Sequence, residues 1–174
     1  MFRMSDRSAA PSFEELAMPL LHALYNYARW LTKDPVEAED LVQETYLKGL
    51  RGFGSFTPGT NFRAWMYRIL RNTFLTSRTG LRAAPQLSIE DDRERVEEAL
   101  EHAGPEAAII TRIDAEALRR AIDELPLLFR EVLLLADVED MSYREISEAL
   151  SIPMGTVTSR LMRARRKVRE VVGR

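Results

Sequence analysis

The sequence contains no cysteine. Disulfides, thiol catalysis and cysteine-based zinc sites are thereby excluded. It has only two histidines, His22 and His102, far apart along the chain, a poor basis for a histidine metal site or a Ser-His-Asp triad. No run of about 18 uncharged apolar residues occurs, so no membrane span is expected. The segment from Met1 to Phe13 is polar and lacks an apolar stretch of signal-peptide type, so secretion is not expected and a cytoplasmic protein is. There is no phosphate-binding glycine loop, no paired carboxylates and no nucleophile–base set. Enzymatic activity, a cofactor and a small-molecule substrate are therefore not expected. What is present is apolar material: 45% of the 174 residues are hydrophobic, enough to build packed cores.

The net charge of -2 hides a strong asymmetry. From Thr45 to Ile89 there is no acidic residue, while Lys48, Arg51, Arg63, Arg68, Arg71, Arg78 and Arg82 are basic. From Thr158 to the end, Arg160, Arg163, Arg165, Arg166, Lys167, Arg169 and Arg174 face only Glu170. Between these zones runs an acidic stretch containing Glu90, Asp91, Asp92, Glu94, Glu97, Glu98, Glu101 and Glu106. Two basic zones split by an acidic connector suit a nucleic-acid binder better than the net charge suggests. Taken singly, either zone reads equally well as a solvated helix face.

The periodicities are helical throughout, with neither strand-like alternation nor internal repeats. Leu16, Leu20, Leu24, Tyr27 and Leu31 predict a helix from about Phe13 to Thr32, started or kinked at Pro19. A second helix opens at Asp34-Pro35-Val36-Glu37, with an aspartate cap, proline in the first turn and a glutamate able to reach back to the cap. It ends near Gly52. A turn-rich loop, Gly54 to Asn61, leads to a third helix, about Phe62 to Ser77, with Phe62, Trp65, Met66, Ile69 and Thr73 on one face. Ala83 to Gly104 reads as a linker, with a short helix near Arg93 to His102. Beyond it, Ile113 to Leu125, the very apolar Leu127 to Val138, and Thr156 to Val172 are helical. Ser142-Tyr-Arg-Glu145 is a capping box opening a further helix that ends near Leu150. The expected fold is all-α: two small helical domains that fold separately, joined by a flexible acidic linker.

Three constellations carry chemistry. The capped helix from Ser142, the break at Ser151 to Gly155 and the basic last helix have the layout of a helix-turn-helix. In the last helix Val157, Leu161, Ala164, Val168 and Val171 form the expected buried face. Thr158, Ser159, Met162, Arg163 and Arg166 occupy the remaining surface, with chemistry suited to a major groove. Arginine can bond a guanine edge in two places, hydroxyls bond bases or phosphates, and methionine can touch a thymine methyl. Arg165, Lys167 and Arg169 are placed for phosphates. The second constellation lies on the helix from Val36 to Arg51. One face is apolar; another carries Asp40, Gln43, Glu44, Leu47 and Arg51. That face reads either as a surface docking another helix or as a solvated face with one stray leucine. The third is the loop Phe56 to Asn61 and the helix after it. There Phe62, Trp65 and Tyr67 interleave with Arg63, Arg68 and Arg71, followed by Asn72. Rings stack on bases while arginines hold phosphates in single-strand binders, but the spacing of Trp65 to Phe62 and Ile69 places Trp65 in the core.

Four blocks in order resemble extracytoplasmic-function RNA polymerase sigma factors: AEDLVQETYLKGL (38–50), NFRAWMYRILRNTF (61–74), LPLLFREVLLLADVEDMSYREIS (125–147) and IPMGTVTSRLMRARRKVR (152–169). The resemblance implies a sigma region 2 over 10–82, a linker over 83–105 and a sigma region 4 over 106–174. It implies that Asp40, Gln43, Glu44 and Leu47 dock on the β′ clamp of core RNA polymerase, with the linker threading the RNA-exit path by the β and β′ subunits. Phe56, Thr60, Asn61, Phe62, Arg63, Arg68, Arg71 and Asn72 fall where the family binds the -10 element of promoter DNA as an opened strand. Thr156, Thr158, Ser159, Met162, Arg163, Arg166 and Lys167 fall where it meets the -35 duplex. The wording is most similar to a redox-stress subgroup controlled by a zinc-binding anti-sigma factor; with no cysteine here, redox sensing would lie in that partner. The apolar stretch Leu127 to Leu135 is expected to offer it surplus apolar surface. A stand-alone helix-turn-helix regulator is the competing reading, and it needs neither the docking face nor the aromatic loop.

Overall fold

The computed structural model describes residues 10–79 and 115–173. The linker, its short helix, Arg82 and Arg174 lie outside the described residues. Within them the structure is helical, as the periodicity predicts.

The first unit begins with α1 (Phe13–Ala17), opened by a capping box in which Ser12 and Glu15 bond each other's backbone N–H. Pro19 cannot donate to a helical ladder, and a single 3-10 turn, Met18–Leu20, carries the break into α2 (Leu21–Thr32). The predicted long helix is therefore two helices. Lys33, in the left-handed region at φ 61, ends α2. Asp34 then caps α3 (Pro35–Gly52) by accepting from the Glu37 N–H at 2.9 Å. Glu37 does not close the expected box; its carboxylate accepts from Arg78 at 2.6 Å instead. A loop with Gly59 at φ 86 follows, then α4 (Phe62–Thr79). Asn61 caps α4, its Oδ1 accepting from the Ala64 N–H at 2.9 Å. Leu24, Tyr27, Ala38, Met66 and Leu70 fill the core between these helices. Gly49 lets α3 approach closely: a Cβ there would lie 3.1 Å from Phe13 and Met66.

The second unit runs α5 (Ala115–Glu124), α6 (Leu127–Leu133), a π turn over Leu134–Val138, α7 (Tyr143–Leu150) and α8 (Met154–Val172). Buried Arg130 holds the α5–α6 corner by donating to the carbonyls of Ile122, Asp123 and Leu125, which satisfies carbonyls that a helix end leaves open. The predicted capping box of Ser142 and Glu145 is present. Ser151, at φ 56, makes the corner into α8. Val157, Leu161 and Ala164 are buried, but Val168 is only partly so and Val171 is 41% exposed. The buried stripe of α8 is shorter than predicted because the partner helices α5, α6 and α7 cover only its first half to two-thirds. Much of the stretch Leu127 to Leu135 goes into the core rather than to the surface: Val132 to Leu135 are buried, and Leu127 and Phe129 are half-buried against it.

The two units meet along one seam. Helix α4 packs along α7, and polar contacts join them along that seam.

Candidate polymerase-docking and nucleic-acid faces

Helix α3 presents an outward stripe. Val36 is 64% exposed, Leu47 47% and Leu50 52%, and Asp40 and Gln43 between them are exposed. Positions 36, 40, 43, 47 and 50 lie three or four residues apart, so they share one face. Glu44 is half-buried beside it, 3.5 Å from Lys48. Exposed apolar groups spaced along one helix face and interleaved with carboxylates suit docking onto another helix more than solvation.

The loop before α4 is pinned by rings. Phe56 is half-buried, stacked on Phe53 at 6.0 Å and tilted against Trp65 at 5.3 Å; Phe62 meets Phe13, Phe53 and Phe56 edge-on. Phe62 is buried, while Trp65 is half-buried at the rim rather than inside the core. Thr60 is exposed, its hydroxyl donating to the Thr57 carbonyl at 2.7 Å. Asn72 is exposed, its carbonyl accepting from the Thr76 hydroxyl at 2.8 Å.

The remaining α4 candidates are brought together, but against the second unit. Asn61 Nδ2 donates to the Glu145 carboxylate at 2.9 Å. Arg63 donates to the Glu139 carbonyl and lies 3.6 Å from its carboxylate. The Tyr67 hydroxyl donates to that same carboxylate at 2.8 Å. Arg68 gives two hydrogen bonds to the Glu148 carbonyl, at 3.0 and 2.7 Å. Arg71 donates to Glu131 at 2.7 Å, the Arg71 side chain being 12% and the Glu131 side chain 0% exposed. The π turn positions Glu139: its N–H bonds the Leu134 carbonyl at 2.9 Å, and the wider turn ends the helix with Glu139 beneath α4.

The electrostatics follow burial. Desolvation pushes the Glu131 carboxyl above its ordinary range, against the pull of Arg71, Arg160 and Arg130. Burial, then Glu139, drives the Tyr67 hydroxyl up. Glu145 is held below the carboxylate range by the Ser142 backbone N–H and then by Asn61.

On α8, Arg166 and Lys167 are exposed, and Thr156, Thr158, Met162 and Arg163 are half-buried. Ser159 departs from the expected surface face: it is 7% exposed, and its hydroxyl donates to the Thr156 carbonyl at 3.2 Å. It sits one turn before Arg163 on a side that turns inward beside buried Arg160. Arg165 pairs with Asp137 at 2.5 Å, so it is tied to its own unit. Sequence reasoning missed Glu131 and Glu139. For Glu131 the available signal was a glutamate inside an otherwise apolar helix, since a charge there needs a buried partner.

Among the described residues no group of histidines and carboxylates could hold a metal ion, and no helix is long and apolar enough to cross a membrane.

The chain is similar to known proteins in sequence and fold. The family model for Sigma-70 region 2 matches residues 16–83, and that for Sigma-70 region 4 matches 115–168. The chain is 34% identical over 170 residues to the ECF RNA polymerase sigma factor SigE of Mycolicibacterium smegmatis, covering 97% of this chain and 65% of that relative. It is 34% identical over 152 residues to the ECF RNA polymerase sigma factor EcfG of Rhodopseudomonas palustris, covering 87% of this chain and 78% of the relative. Among solved structures, the sigma factor RpoE from Bartonella quintana, in complex with the anti-sigma factor NepR, is similar with a TM-score of 0.68 and 27% identity, over 92% of this chain and 96% of that one.

Proposed function

This chain belongs to the ECF RNA polymerase sigma factors, and on that premise we propose that it directs core RNA polymerase to a specific set of promoters, the first unit engaging the opened -10 strand and the second reading the -35 duplex. The observation that carries the reading is the exposed apolar and acidic stripe on α3 in a chain that also ends in a helix-turn-helix. A stand-alone helix-turn-helix regulator needs no such stripe.

Asp40, Gln43, Glu44 and Leu47 are the proposed contact with the β′ clamp. Their mixed chemistry suits a helix partner, with Leu47 as the apolar anchor and the carboxylates setting register. Phe56, Thr60, Asn61 and Phe62 are the proposed cradle for an unstacked base. Phe56 is the ring best placed to receive one, because it is half-buried at the rim of the aromatic cluster, where a base stacks on an open face. Arg63, Arg68, Arg71 and Asn72 would line the path of the strand. On α8, Thr156, Thr158, Met162 and Arg163 are the proposed base readers, and the exposed Arg166 and Lys167 the phosphate contacts. Ser159 drops out of the reading face and serves as a packing residue. Catalysis stays with the polymerase, and the work is done in the cytoplasm.

An anti-sigma factor as regulator is supported by the similar RpoE structure, which was solved with one. The redox-stress assignment and a zinc-binding partner rest on motif wording. Co-purification from unstressed cells should recover a small partner, and recovery of only free protein and polymerase complex would count against this regulation.

The test of the main reading is transcription in vitro with core polymerase on fragmented genomic DNA, with the start sites mapped. Discrete start sites sharing -10 and -35 sequences are expected. Duplex binding without polymerase, and no new start sites with it, would favour the lone regulator.

A further inference from the structure

We propose that the pocket where the end of α2 meets α5 is an anion site. It would take one phosphate group, free or at the end of a small molecule, held by Arg29, Lys33 and Arg119 and bridging the two units.

Five residues line this pocket: Arg29, Trp30 and Lys33 from the end of α2, and Arg119 and Asp123 from α5. The cations outnumber the carboxylate by two, which matches a phosphate group near neutral pH. Among the described residues, none of the three cations forms an ion pair. The Lys33 ammonium donates to the Asp123 carbonyl at 2.9 Å, and the Arg119 guanidinium lies 5.5 Å from the Trp30 ring centre. A carbonyl and a ring face orient these cations without neutralising them. The ammonium keeps two further donors.

Arg29 carries the inference. Its Nη1 is buried and has no hydrogen-bond partner. A charged donor buried without an acceptor is among the costliest of unmade hydrogen bonds. A basic residue in the last turn of a helix suits the helix dipole, and Arg29 stands there in α2. That accounts for a cation at this position and leaves its Nη1 unsatisfied. An oxyanion seated in the pocket supplies acceptor oxygens and the missing negative charge together.

Size narrows the ligand. The pocket holds about 80 Å³, the space of two or three waters at about 30 Å³ each. That suits one tetrahedral oxyanion. Sites that enclose whole drug-sized ligands run to about 300 Å³ or more, so the remainder of a larger molecule would stay outside. Asp123 selects within the class: a carboxylate can accept the proton of a monohydrogen phosphate, and sulfate has none to give. A ligand touching both units stabilises their pairing by mass action.

The test is isothermal titration of sodium phosphate into the free full-length chain, with chloride balancing the ionic strength. Saturable binding of one phosphate per chain is expected, with sulfate weaker. Arg29→Gln, Lys33→Gln and Arg119→Gln should each weaken it about tenfold or more, as loss of one charge-assisted hydrogen bond does. Lys33 and Arg119 are exposed, so their variants keep the test decisive should Arg29→Gln fail to fold by circular dichroism. Arg120→Gln, exposed on α5 and outside the pocket lining, should bind as wild type. Competition by AMP would assign the site to the phosphate end of a larger molecule, and binding of phosphate without such competition would assign it to the inorganic ion; either upholds the site. Heats no larger than those of the chloride blank would overturn it. So would a loss confined to variants of one unit, which would break the bridge. Displacement of phosphate by a 20-nucleotide single-stranded DNA at equal phosphate concentration would give the pocket to nucleic acid instead. None of these outcomes bears on promoter recognition, which the mapped start sites decide.

Discussion

Helices α3 and α4 belong to the same small bundle and bury the same core, yet their outer faces differ. That of α3 is bare: Val36, Leu47 and Leu50 are roughly half exposed or more, with Asp40 and Gln43 open between them. That of α4 is covered, its arginines spent on Glu131, Glu139 and the Glu148 carbonyl. The difference is one of access: the α3 face is open to a partner, and the α4 face is already satisfied within the chain. The same contrast separates two ion pairs of nearly equal length. Arg71–Glu131 spans 2.7 Å with side chains 12% and 0% exposed, and Arg78–Glu37 spans 2.6 Å with side chains 50% and 54% exposed.

The largest expected effect follows from that contrast. Arg71→Ala strands the buried carboxylate of Glu131, a change that costs about 3–5 kcal/mol where the charge stays ionised. Arg78→Ala removes an exposed pair worth about 0–1 kcal/mol. Thermal melts at pH 8 should show a drop of many degrees for the first and little change for the second. Equal shifts would mean that the seam is as wet as the surface and that the contrast is illusory.

Next in size is the bare face. Leu47→Ala with Asp40→Ala should weaken binding to core polymerase by about 2 kcal/mol or more, roughly thirtyfold, if Leu47 anchors the contact. Helical circular dichroism should not change, because both side chains are exposed. Unchanged affinity in a pull-down would leave the α3 stripe without a partner.

The third effect distinguishes base reading from phosphate holding on α8. Arg163→Ala should cost about 1–3 kcal/mol in open-complex formation and relax preference at one -35 base pair. Lys167→Ala should weaken all promoter variants alike and reduce the salt dependence by about one counterion. A uniform loss for Arg163→Ala would move it to the phosphate set, beside Arg166.

What the sequence made legible was local. The Asp34 cap, the Pro19 break and the Ser142–Glu145 box each depend on residues within about one turn, and each appears where it was expected. The boundaries of α3 and α7 follow from them. Glu37 shows the limit: the cap pattern predicts a reach back to Asp34, but a tertiary partner 41 positions away takes its carboxylate. The seam was illegible for the same reason. Its bonds join residues 60, 76, 80 and 84 positions apart, and on α4 the arginines have the same periodicity whether they await DNA or already hold glutamates. Helical spacing placed Ser159 beside Thr158 and Arg163, but a helix packed on three neighbours buries more of its circumference than one apolar stripe reveals. For Trp65, a ring at the rim of an aromatic cluster fits the core spacing and is still half exposed.

The smallest effect is on the slope of stability with pH, and it compares two carboxylates of the seam. Glu145, lowered by the Ser142 N–H and Asn61, contributes stability that is present above its unfolded pKa of about 4.3 and is lost as pH falls through the lowered value. Glu131, raised by burial, behaves in the opposite sense. Its contribution is full below about 4.3 and is lost as pH rises through the raised value. Arg71, Arg130 and Arg160 face Glu131 and oppose its protonation, while Tyr27 lies near with its hydroxyl buried and without a hydrogen-bond partner. Glu131→Gln replaces the titrating group with a neutral one of the same shape. Between pH 4.5 and 8, wild type should lose stability relative to Glu131→Gln, by at most about 1.4 kcal/mol per pH unit for a single proton. Below pH 4.5 both proteins should fall together as Glu145 protonates. Melting temperatures measured across that range decide the point: parallel curves above pH 4.5 would show that Arg71 fully compensates the burial of Glu131, and the seam would then be indifferent to mild acid.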